Sequence, residues 1–447
     1  MQQCIALDLS VTTAEAGFSL DEFIITLKAF ATTEGLPQIA AFVLRMVDQV
    51  LGIQQTAGPQ SARRPCPHCG GTQFMVKDAV PRRLRTSIGV VQFAWRRLQC
   101  LGCRKLVIPL RDFLRLRRWQ SKTSELEKVV LEVFTEQSYR RGTDHFRQIG
   151  VIPVPHSTGQ RWVLESAAGT LATPQPEVAV LMADGTGFPR RPEPQAGTDN
   201  QGEVRVTLGL TRQGHWVPLG ATTTASWQQI ATDVQARVGQ GAQAPVMAVV
   251  DGERGLAEAL AGVANQVQRC EWHLVDQLRY ALYDDGLKKP AQQPWLHDVA
   301  ALVKLQVPAS ELEPVAPAER AALEQKLFDS AEAFDRLIAA LQTAGHTHAA
   351  TYLRQAQRYT FRWLAFWLKT GFRCPRTTSY LERLMREIGR RLKKIAFGWS
   401  EKGAAQMTRL ILRKIVNPDE WDAYWKKILR LDGHVNILFR SVHATQP

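Results

Sequence analysis

The spacing of apolar and polar positions changes along this chain of 447 residues, and the changes predict separate structural regions. Residues 1–54 carry apolar side chains at helical spacing and residues 124–170 repeat that pattern, so both regions are predicted to be helical. From residue 176 the pattern shifts to the alternation and short apolar runs that strands show. Residues 276–372 return to helical spacing almost throughout. The pattern therefore predicts an α/β region bordered by helical regions.

The helical region at residues 124–170 is predicted to contain three helices with a helix-turn-helix rhythm. The helices are expected at Glu125–Gln137, Arg141–Ile149 and Ser157–Ala168, with a proline-broken turn before the third and Ser157 as its N-cap. Three side chains near the start of the third helix are placed to reach DNA base edges: Thr158, Gln160 and Arg161. An ordinary helical linker domain would show the same rhythm, so both interpretations stay open.

The region from residue 176 predicts a sheet with helical crossovers. The expected elements are the strands Val178–Met182, Val204–Leu210 and Trp216–Thr222, the helix Trp227–Val238, the strand Ala244–Val250, the helix Arg254–Val263 and the strand Val267–Trp272. This order, β-β-β-α-β-α-β with a hairpin meander before the first crossover, is typical of a ribonuclease H-like fold. The helical residues 276–372 would then form an all-α insertion into that core.

Four of the seven cysteines form two pairs with metal-ligand spacing. Cys66 and Cys69 make one CxxC knuckle, and Cys100 and Cys103 make the second about thirty residues later. Each knuckle brings two thiolates to one tetrahedral ion, so the pattern predicts a structural Zn²⁺ site of the zinc-ribbon type. Gly70 and Gly102 are expected to supply the tight turns. Disulfides or a redox CxxC are weaker alternatives, because the cytosol is reducing and neither pair lies in a βαβ pattern.

These patterns together predict a multidomain α/β protein, in which a zinc ribbon and a helix-turn-helix domain precede a ribonuclease H-like catalytic core with an all-α insertion. The expected regions are an N-terminal helical segment and linker (1–60), the zinc ribbon (61–112), the helix-turn-helix domain (118–172), the first part of the core (176–275), the insertion (276–372) and a C-terminal helical region that includes an acidic helix (373–447).

Charge points to a polyanionic partner. The net charge is +14, and residues 82–118 contain eleven Lys or Arg but one acid, with aromatic residues interleaved. Such a segment suits phosphate contacts and base stacking, so DNA is the expected partner. The arginines expected to contact phosphates are Arg82, Arg83, Arg96 and Arg97. A basic surface also fits solubility or binding to anionic lipid, which charge alone does not separate from DNA binding.

Nothing in the sequence predicts a membrane or an export route. No apolar run approaches the ~20 residues that a membrane helix needs, and the first ten residues lack a basic segment followed by an apolar one. Hydrophobic residues make up 45% of the chain, enough for a sizeable core. We therefore expect a cytoplasmic, nucleoid-associated protein.

Two aspartates follow apolar strands of the predicted sheet. Asp184 and Asp251 each end such a strand and precede a glycine. If the two strands are neighbours, both carboxylates lie at one edge of the sheet. Together with a third acid they could hold two Mg²⁺ or Mn²⁺ ions, which suit phosphodiester chemistry. For either aspartate alone, a role in capping a turn is the plainer alternative.

The third acid is expected on a helix that Thr378 or Ser379 can cap. This places Glu382 in the first turn and Arg386 one turn later, where Arg386 could touch a DNA phosphate. A plain Glu382–Arg386 ion pair on a solvated face is the alternative. Two other acids, Glu253 and Glu387, are rival ligands on spacing alone.

Four segments in this order resemble the DDE transposases of bacterial insertion sequences in the Mutator-like superfamily. They are Met182–Thr186, Val249–Gly252, Cys270–His273 and Thr377–Arg383. A trailing Trp399–Gly403 is similar to the end of that family's catalytic domain, so the similarity covers roughly residues 176–410. The chain departs from the family at Ser379 and Met385, where the family often has Asn.

The resemblance implies a ribonuclease H-like core with a helical insertion and Asp184, Asp251 and Glu382 as the metal-binding triad. It also implies a Cys-x-x-His signature at Cys270 and His273, where His273 would bind a phosphate or orient an acid. A buried cysteine beside a satisfied core histidine is the alternative for that pair. The implied reaction is hydrolysis at transposon ends followed by strand transfer to target DNA. Holding two ends together implies a homo-oligomer.

Two further functions remain compatible with the sequence. A transposase-derived regulator that only binds DNA would keep the ribbon, the helix-turn-helix and the basic surface, but it would have no reason to keep the acids. A ribonuclease H-like nuclease would cut DNA without joining it, and only a strand-transfer assay separates this function from transposition.

Overall fold

The computed structural model describes residues 19–149, 152–171, 177–191, 201–241, 244–253, 255–305, 307, 317–395 and 398–430. The predicted helix over residues 1–18 and the last part of the predicted C-terminal helical region, 431–447, lie outside the described residues. The protein is a mixed α/β structure, as predicted, and it divides into two compact units. One unit comprises residues 1–162 and 425–447, and the other comprises residues 163–424.

The first unit contains the N-terminal helices, a three-stranded sheet and a helical cluster. Its elements are α1 (Leu20–Phe30), α2 (Leu36–Thr56), β1 (Phe74–Thr86), β2 (Gly89–Cys100), β3 (Leu106–Val107), α3 (Pro109–Phe113), α4 (Ser124–Glu136), α5 (Tyr139–Gln148) and the greater part of α6 (His156–Glu165). A π-helical turn at Ala31–Gly35 joins α1 to α2. The sheet order is β1-β2-β3.

The hairpin predicted across residues 82–95 is present as β1 and β2. The two strands pair antiparallel from Phe74↔Cys100 to Thr86↔Gly89, with one irregularity between Val76 and Asp78. The long pairing carries alternate side chains to one face, where α2 covers them. The hairpin thereby holds Cys100 at the end of β2 in the second CxxC pair.

A continuous helical stretch from Leu20 to Thr56 is long and apolar enough to cross a membrane by length and composition. The sequence analysis expected no such segment, because polar residues interrupt its apolar runs, but few of those polar residues are charged. In α2 the side chain of Ala41 is buried against a cluster that includes Leu84 and Trp95. Large side chains of α1, such as Leu20 and Ile25, are exposed.

The three predicted helices after the ribbon are present as α4, α5 and α6. Phe134 of α4 lies where the other two helices approach, and a Cβ atom at Gly142 or Gly159 would overlap with its ring. These two glycines therefore permit the close helix packing. The third helix begins at His156, so Ser157 lies in its first turn. Ser157 is therefore not the N-cap, and that prediction was wrong.

The second unit is built around a five-stranded sheet. Its elements are β4 (Val178–Pro189), β5 (Gln201–Thr211), β6 (Trp216–Thr222), α7 (Trp227–Gln235), β7 (Met247–Val250), α8 (Leu256–Ala261), β8 (Val267–Arg269), α9 (Glu271–Asp284), α10 (Lys289–Val303), α11 (Pro317–Thr343), α12 (Thr347–Gln357), α13 (Arg362–Thr370), α14 (Ser379–Gly389), α15 (Glu401–Val416) and the first part of α16 (Pro418–Leu429).

The strands follow the predicted order β-β-β-α-β-α-β and form a mixed sheet in the order β6-β5-β4-β7-β8. Neighbours among β4, β5 and β6 pair antiparallel, whereas β7 pairs parallel to both β4 and β8. Parallel neighbours need a crossover, and α7 and α8 supply these connections. Both helices bury apolar side chains, such as Ile230 and Leu260, in one cluster with the sheet.

The predicted C-terminal ends of two strands in this sheet were wrong. Strand β4 continues through Asp184 to Pro189 because its antiparallel partner β5 pairs with it as far as Pro189↔Gln201. Strand β8 ends at Arg269 and α9 begins at Glu271, so the predicted strand end at Trp272 is helical. The helical region therefore starts ahead of the predicted boundary at residue 276.

The helices α9 to α13 form the helical region predicted for residues 276–372. They bury a cluster of their own, with Leu278, Phe334 and Leu353 fully covered. The cluster is distinct from the one between the sheet, α7 and α8. Packing in this helical cluster therefore holds α9 in place, with its first turn directed towards the sheet.

Candidate active site and metal centre

Asp184 lies on β4, and Asp251 directly follows β7, the neighbouring strand. The parallel pairing of β4 with β7 ends at Ala183↔Val250, and each aspartate is the next residue. Asp184 Oδ1 accepts the N–H of Gly185 at 2.7 Å, and Asp251 Oδ1 accepts the N–H of Glu253 at 2.9 Å. Asp251 thus caps the turn that follows it, which was the alternative role considered for either aspartate. In each carboxylate only Oδ1 accepts such a bond from a neighbouring N–H.

The turn after Asp251 depends on a glycine. Gly252 has a φ of +95°, a conformation that side chains with a Cβ rarely adopt. A Cβ atom at this position would also overlap with the Arg269 guanidinium, which donates to Gln277 at 2.6 Å and to Tyr352 at 3.0 Å. Glycine therefore allows Arg269 to lie directly against the backbone that follows Asp251.

The electrostatics of Asp184 connect it to both other acids of the predicted triad. Burial, together with the negative charges of Asp251 and Glu382, raises the pKa of Asp184 to about 7. The N–H of Gly185 and the charge of His273 act in the opposite direction. With this pKa, Asp184 exchanges its proton close to neutral pH.

Glu382 lies in the first turn of α14 and points to a histidine. Its Oε1 is 3.2 Å from His273 Nε2, and its N–H donates to the Thr378 carbonyl at 2.9 Å. The alternative ion pair with Arg386 is not formed in the described part of the chain, where Arg386 is exposed on the next turn. The rival acid Glu387 pairs with Arg390 at 2.9 Å and is not part of this group.

Cys270, Thr378 and His273 tie the start of α9 to the start of α14. The Thr378 N–H and hydroxyl both donate to Cys270 Sγ at 3.4 Å, and the Thr378 hydroxyl lies 3.3 Å from His273 Nδ1. Thr378 occupies the N-cap position, as predicted, but its side chain makes these contacts and does not cap the helix. The sequence analysis did not predict this role of Thr378.

The charges of this group favour a protonated histidine beside Glu382. Burial opposes ionisation of His273, but the hydrogen bond and charge of Cys270, together with the charges of Glu382 and Asp251, raise its pKa. Burial likewise opposes a Cys270 thiolate, but hydrogen bonds from His273 and Thr378 lower its pKa. These contacts fit the idea that His273 orients an acid better than the alternative of a satisfied core histidine.

Glu253, the other rival ligand, has partners of its own. Its Oε1 accepts the indole N–H of Trp227 at 2.6 Å and lies 3.9 Å from Arg205. Burial raises its pKa, and the charges of Glu203 and Asp251 add to the shift. Glu203 pairs with Arg205 at 2.8 Å. Sequence analysis did not single out Glu203 or Arg205, because neither stands in a recognisable motif.

The four cysteines form the tightest ligand group in the described residues. All four Sγ atoms lie within 4.8 Å of one another, and no other group of three or more such donors among the described residues, the three acids included, is that compact. Cys66 is 3.7 Å from Cys103 and Cys69 is 3.6 Å from Cys100. Zinc–sulfur bonds of ~2.3 Å in a tetrahedron place sulfurs about 3.8 Å apart. The cluster could therefore bind a metal such as zinc.

The backbone of the two knuckles differs from the prediction at one position. In the first knuckle, Gly70 has a φ of +75° and donates to the Cys66 carbonyl at 2.9 Å. In the second, Arg104 adopts the left-handed conformation, with a φ of +63°, and donates to the Cys100 carbonyl at 2.9 Å. Gly102, the predicted turn residue, does not take that conformation.

Three of the four arginines predicted to contact phosphates have partners within the protein. Arg82 donates to the Gln120 carbonyl and lies over the Trp95 ring, Arg96 pairs with Asp48 at 2.8 Å, and Arg97 donates from Nε to Asp78 at 2.6 Å. Arg83 is exposed. The ribbon hairpin thus uses part of its positive charge to hold itself together, and phosphate contact by these arginines stays a prediction.

The side chains predicted to read base edges lie on α6. Arg161 is exposed there, whereas Thr158 and Gln160 are half-buried. Their role in DNA binding stays a prediction.

A scan of the chain against protein-family models finds no match, and a search of curated proteins finds none either. The basis for a functional assignment is therefore the geometry of the acidic group and of the cysteine cluster.

Proposed function

We propose that this protein is a divalent-metal-dependent DNA transposase of the DDE type, with Asp184, Asp251 and Glu382 as its metal ligands. One observation carries the proposal: β4 and β7 pair up to the residues just before Asp184 and Asp251, and the charges of Asp251 and Glu382 add to burial in raising the pKa of Asp184 to about 7. They come from β4, the end of β7 and α14, and acids from three separate elements meet in this way where a cation is to be bound.

The donor set fits magnesium or manganese. Carboxylate oxygens are the hard ligands that these ions prefer. Among the described residues, the cluster of thiolates that would favour zinc is the four-cysteine group and does not lie at the acids. Carboxylates that share two ions stand farther apart than donors around one ion, which suits a group less compact than the four cysteines. When bound, such ions activate the attacking oxygen and stabilise the leaving oxygen of a phosphodiester.

The neighbouring side chains have the tasks of holding and orienting these acids. His273 fixes one oxygen of Glu382, and Thr378 with Cys270 fixes His273 from its other ring nitrogen. Such outer contacts typically change activity 10–100-fold when removed. Asp251 is held by its own turn, and Asp184 by its place within β4.

DNA as the substrate is supported by charge and by the order of elements. The chain carries a net charge of +14, and a strand order with parallel β4 and β7 at the centre is compatible with a ribonuclease H-like core. The helix-turn-helix rhythm of α4 to α6 supplies a candidate for reading transposon-end repeats. The proposed reaction is cleavage at those ends and transfer of the freed 3′-hydroxyl to target DNA, performed by a homo-oligomer that holds two ends.

The test is a cleavage and joining assay with labelled duplexes that carry the DNA flanking the gene, a supercoiled target plasmid, and Mg²⁺ or Mn²⁺. We expect wild type to cut and join, and Asp184→Asn, Asp251→Asn and Glu382→Gln to lose both steps by at least about a thousandfold while still binding DNA.

Glu387→Gln is the matched control, because Glu387 lies on the same helix but pairs with Arg390. It should keep the activity of wild type. Joining by Asp184→Asn at the wild-type rate would contradict the acidic triad, and cutting without joining in wild type would identify a nuclease.

A further inference from the structure

A polar pocket lies at the open edge of the five-stranded sheet. It has a volume of ≈ 430 Å³, within the range of about 300–1,000 Å³ typical of small-molecule sites. Edge strand β6, the end of α7 and helix α15 contribute its walls, through residues that include Gly220, Arg237 and Arg409. The acidic group does not contribute to it: Asp184, Asp251 and Glu382 are all absent from its lining.

Two arginines bring uncompensated positive charge into this pocket. Arg237 donates to the Leu219 carbonyl at 2.9 Å and Arg409 donates to the Ala221 carbonyl at 3.0 Å, both on β6. Burial lowers the pKa of Arg409, and the charge of Arg237 lowers it further. The acid that lines the pocket, Asp233, is exposed and forms no ion pair with either arginine in the described structure.

A buried hydroxyl in the same pocket lacks a partner. Thr207 is 3% exposed, and its Oγ1 makes no hydrogen bond within the described residues. Gly220 lies over it on the neighbouring strand, where a Cβ atom would stand 2.7 Å from Oγ1. An unsatisfied buried hydroxyl costs about 1–3 kcal/mol, and this one lies in a pocket that two arginines also line, so a ligand there could complete it.

The pocket and the acidic group use different faces of the sheet. Thr207 pairs with Ala183 and with Gly220, whereas Asp184 pairs with Val206. Since successive side chains of a strand point to opposite faces, Thr207 and Asp184 lie on opposite sides of the sheet. A ligand held by Thr207 would therefore not be one held by the acidic triad.

We propose that Arg237, Arg409 and Thr207 form a binding site for a phosphate group. Two guanidinium groups and a hydroxyl are the donors that a phosphate accepts, and the N–H groups of Arg237 and Arg409 that are not bonded to β6 remain to make these bonds. The group would come from the backbone of a nucleic acid or from a free phosphate. If no phosphate binds there, the bonds that the two arginines donate to Leu219 and Ala221 would serve only to cover the edge of the sheet.

The experiment measures thermal unfolding of the full chain in sodium phosphate and in sodium chloride at equal ionic strength. Phosphate should raise the Tm of wild type by about 2–4 °C over chloride. Arg409→Gln should weaken the phosphate Kd about tenfold or more. Thr207→Val should do the same without lowering the Tm in phosphate-free buffer, because it removes an unpartnered hydroxyl, and it therefore serves if Arg409→Gln folds poorly.

Two control variants separate this site from total charge and from the acidic group. Arg336→Gln removes one positive charge from an exposed i,i+4 ion pair on α11 and should keep the phosphate response. Asp184→Asn should keep it as well, so failure of the proposed transposase chemistry would leave this result unchanged.

A second arm identifies the source of the phosphate, using a labelled mixed-sequence duplex titrated at several salt concentrations. If DNA supplies the group, the slope of log Kd against log salt should fall by about 0.9 in Arg409→Gln and stay unchanged in Arg336→Gln, the control for total charge. Equal slopes in Arg409→Gln and Arg336→Gln would assign the site to a free phosphate. The proposal is overturned if phosphate stabilises wild type no more than chloride does, or if both pocket variants respond as wild type.

Discussion

The cysteine cluster and the acidic group are two polar centres built in opposite ways. The four cysteines come from two short knuckles on one hairpin, and their Sγ atoms lie within 4.8 Å of one another. The three acids come from separate elements of a sheet and a helix, and they are less compact. The cysteine ligands therefore lie close together, whereas the acids come from distant parts of the chain and raise the pKa of Asp184 through their charges.

The comparison shows that the positions of the ligand atoms and their charges are set by different features of the structure. In the ribbon, backbone bonds such as Gly70 to Cys66 fix position at close range. The backbone N–H of Cys103, although opposed by burial, lowers the pKa of Cys100 to about 7, so a thiolate forms at neutral pH. In the acidic group, burial and like charges raise the pKa of Asp184 to about 7, so its carboxylate forms less readily than that of an ordinary aspartate.

The largest effect is expected at the ribbon. Cys66→Ser should reduce bound zinc from about one ion per chain to none and unfold the hairpin region, because structural zinc contributes about 10–16 kcal/mol of binding free energy. Metal analysis and circular dichroism check this. Cys374→Ser is the control, since Cys374 is also buried but lies outside the cluster. A metal-free wild-type chain with an intact fold would break the comparison.

The next effect concerns the pH dependence of the acidic group. The pKa of Asp184 is raised from 3.8 to about 7, so the folded state binds more protons than the unfolded state between those values. Stability of the metal-free protein should therefore fall as pH rises from about 4 to about 7, by at most about 4 kcal/mol. Asp184→Asn should remove this contribution, as urea unfolding at several pH values would show.

The same linkage predicts how a cation acts. Mg²⁺ must displace the proton of Asp184, so it should raise the Tm more at pH 8 than at pH 6, and Asp184→Asn should respond weakly at both. An equal response of Asp184→Asn and wild type would place the ion elsewhere.

The smallest effect is expected from the contact that orients His273. Thr378→Val removes the hydroxyl that bonds Cys270 and His273, and it should lower the rate of strand transfer about tenfold with little change in stability. It should also shift the pH profile, because the Thr378 hydroxyl helps to set the pKa of Cys270, whose charge acts on His273. Thr377→Val, one residue earlier, is the control, because the Thr377 hydroxyl contacts Ser379. No difference between the two variants would assign Thr378 a purely structural role.

The sequence by itself determined the features that a few neighbouring residues encode. The CxxC spacing brings thiolates together within single turns, and alternation identified the strands β5 and β6 to within a few residues. Helical periodicity likewise predicted α4 and the helices that follow the sheet. The end of β4 was missed because it depends on pairing with β5, a partner that no local pattern specifies.

Only the tertiary structure decided which distant side chains meet. The adjacency of Asp184 and Asp251 requires that β4 and β7 be neighbours in register, and the contact of Glu382 with His273 requires that α14 begin beside α9. The same holds for Arg96 on β2, whose partner Asp48 lies on α2. The reason is physical: local spacing fixes geometry within a turn, whereas the meeting of remote charges is set by sheet order and core packing.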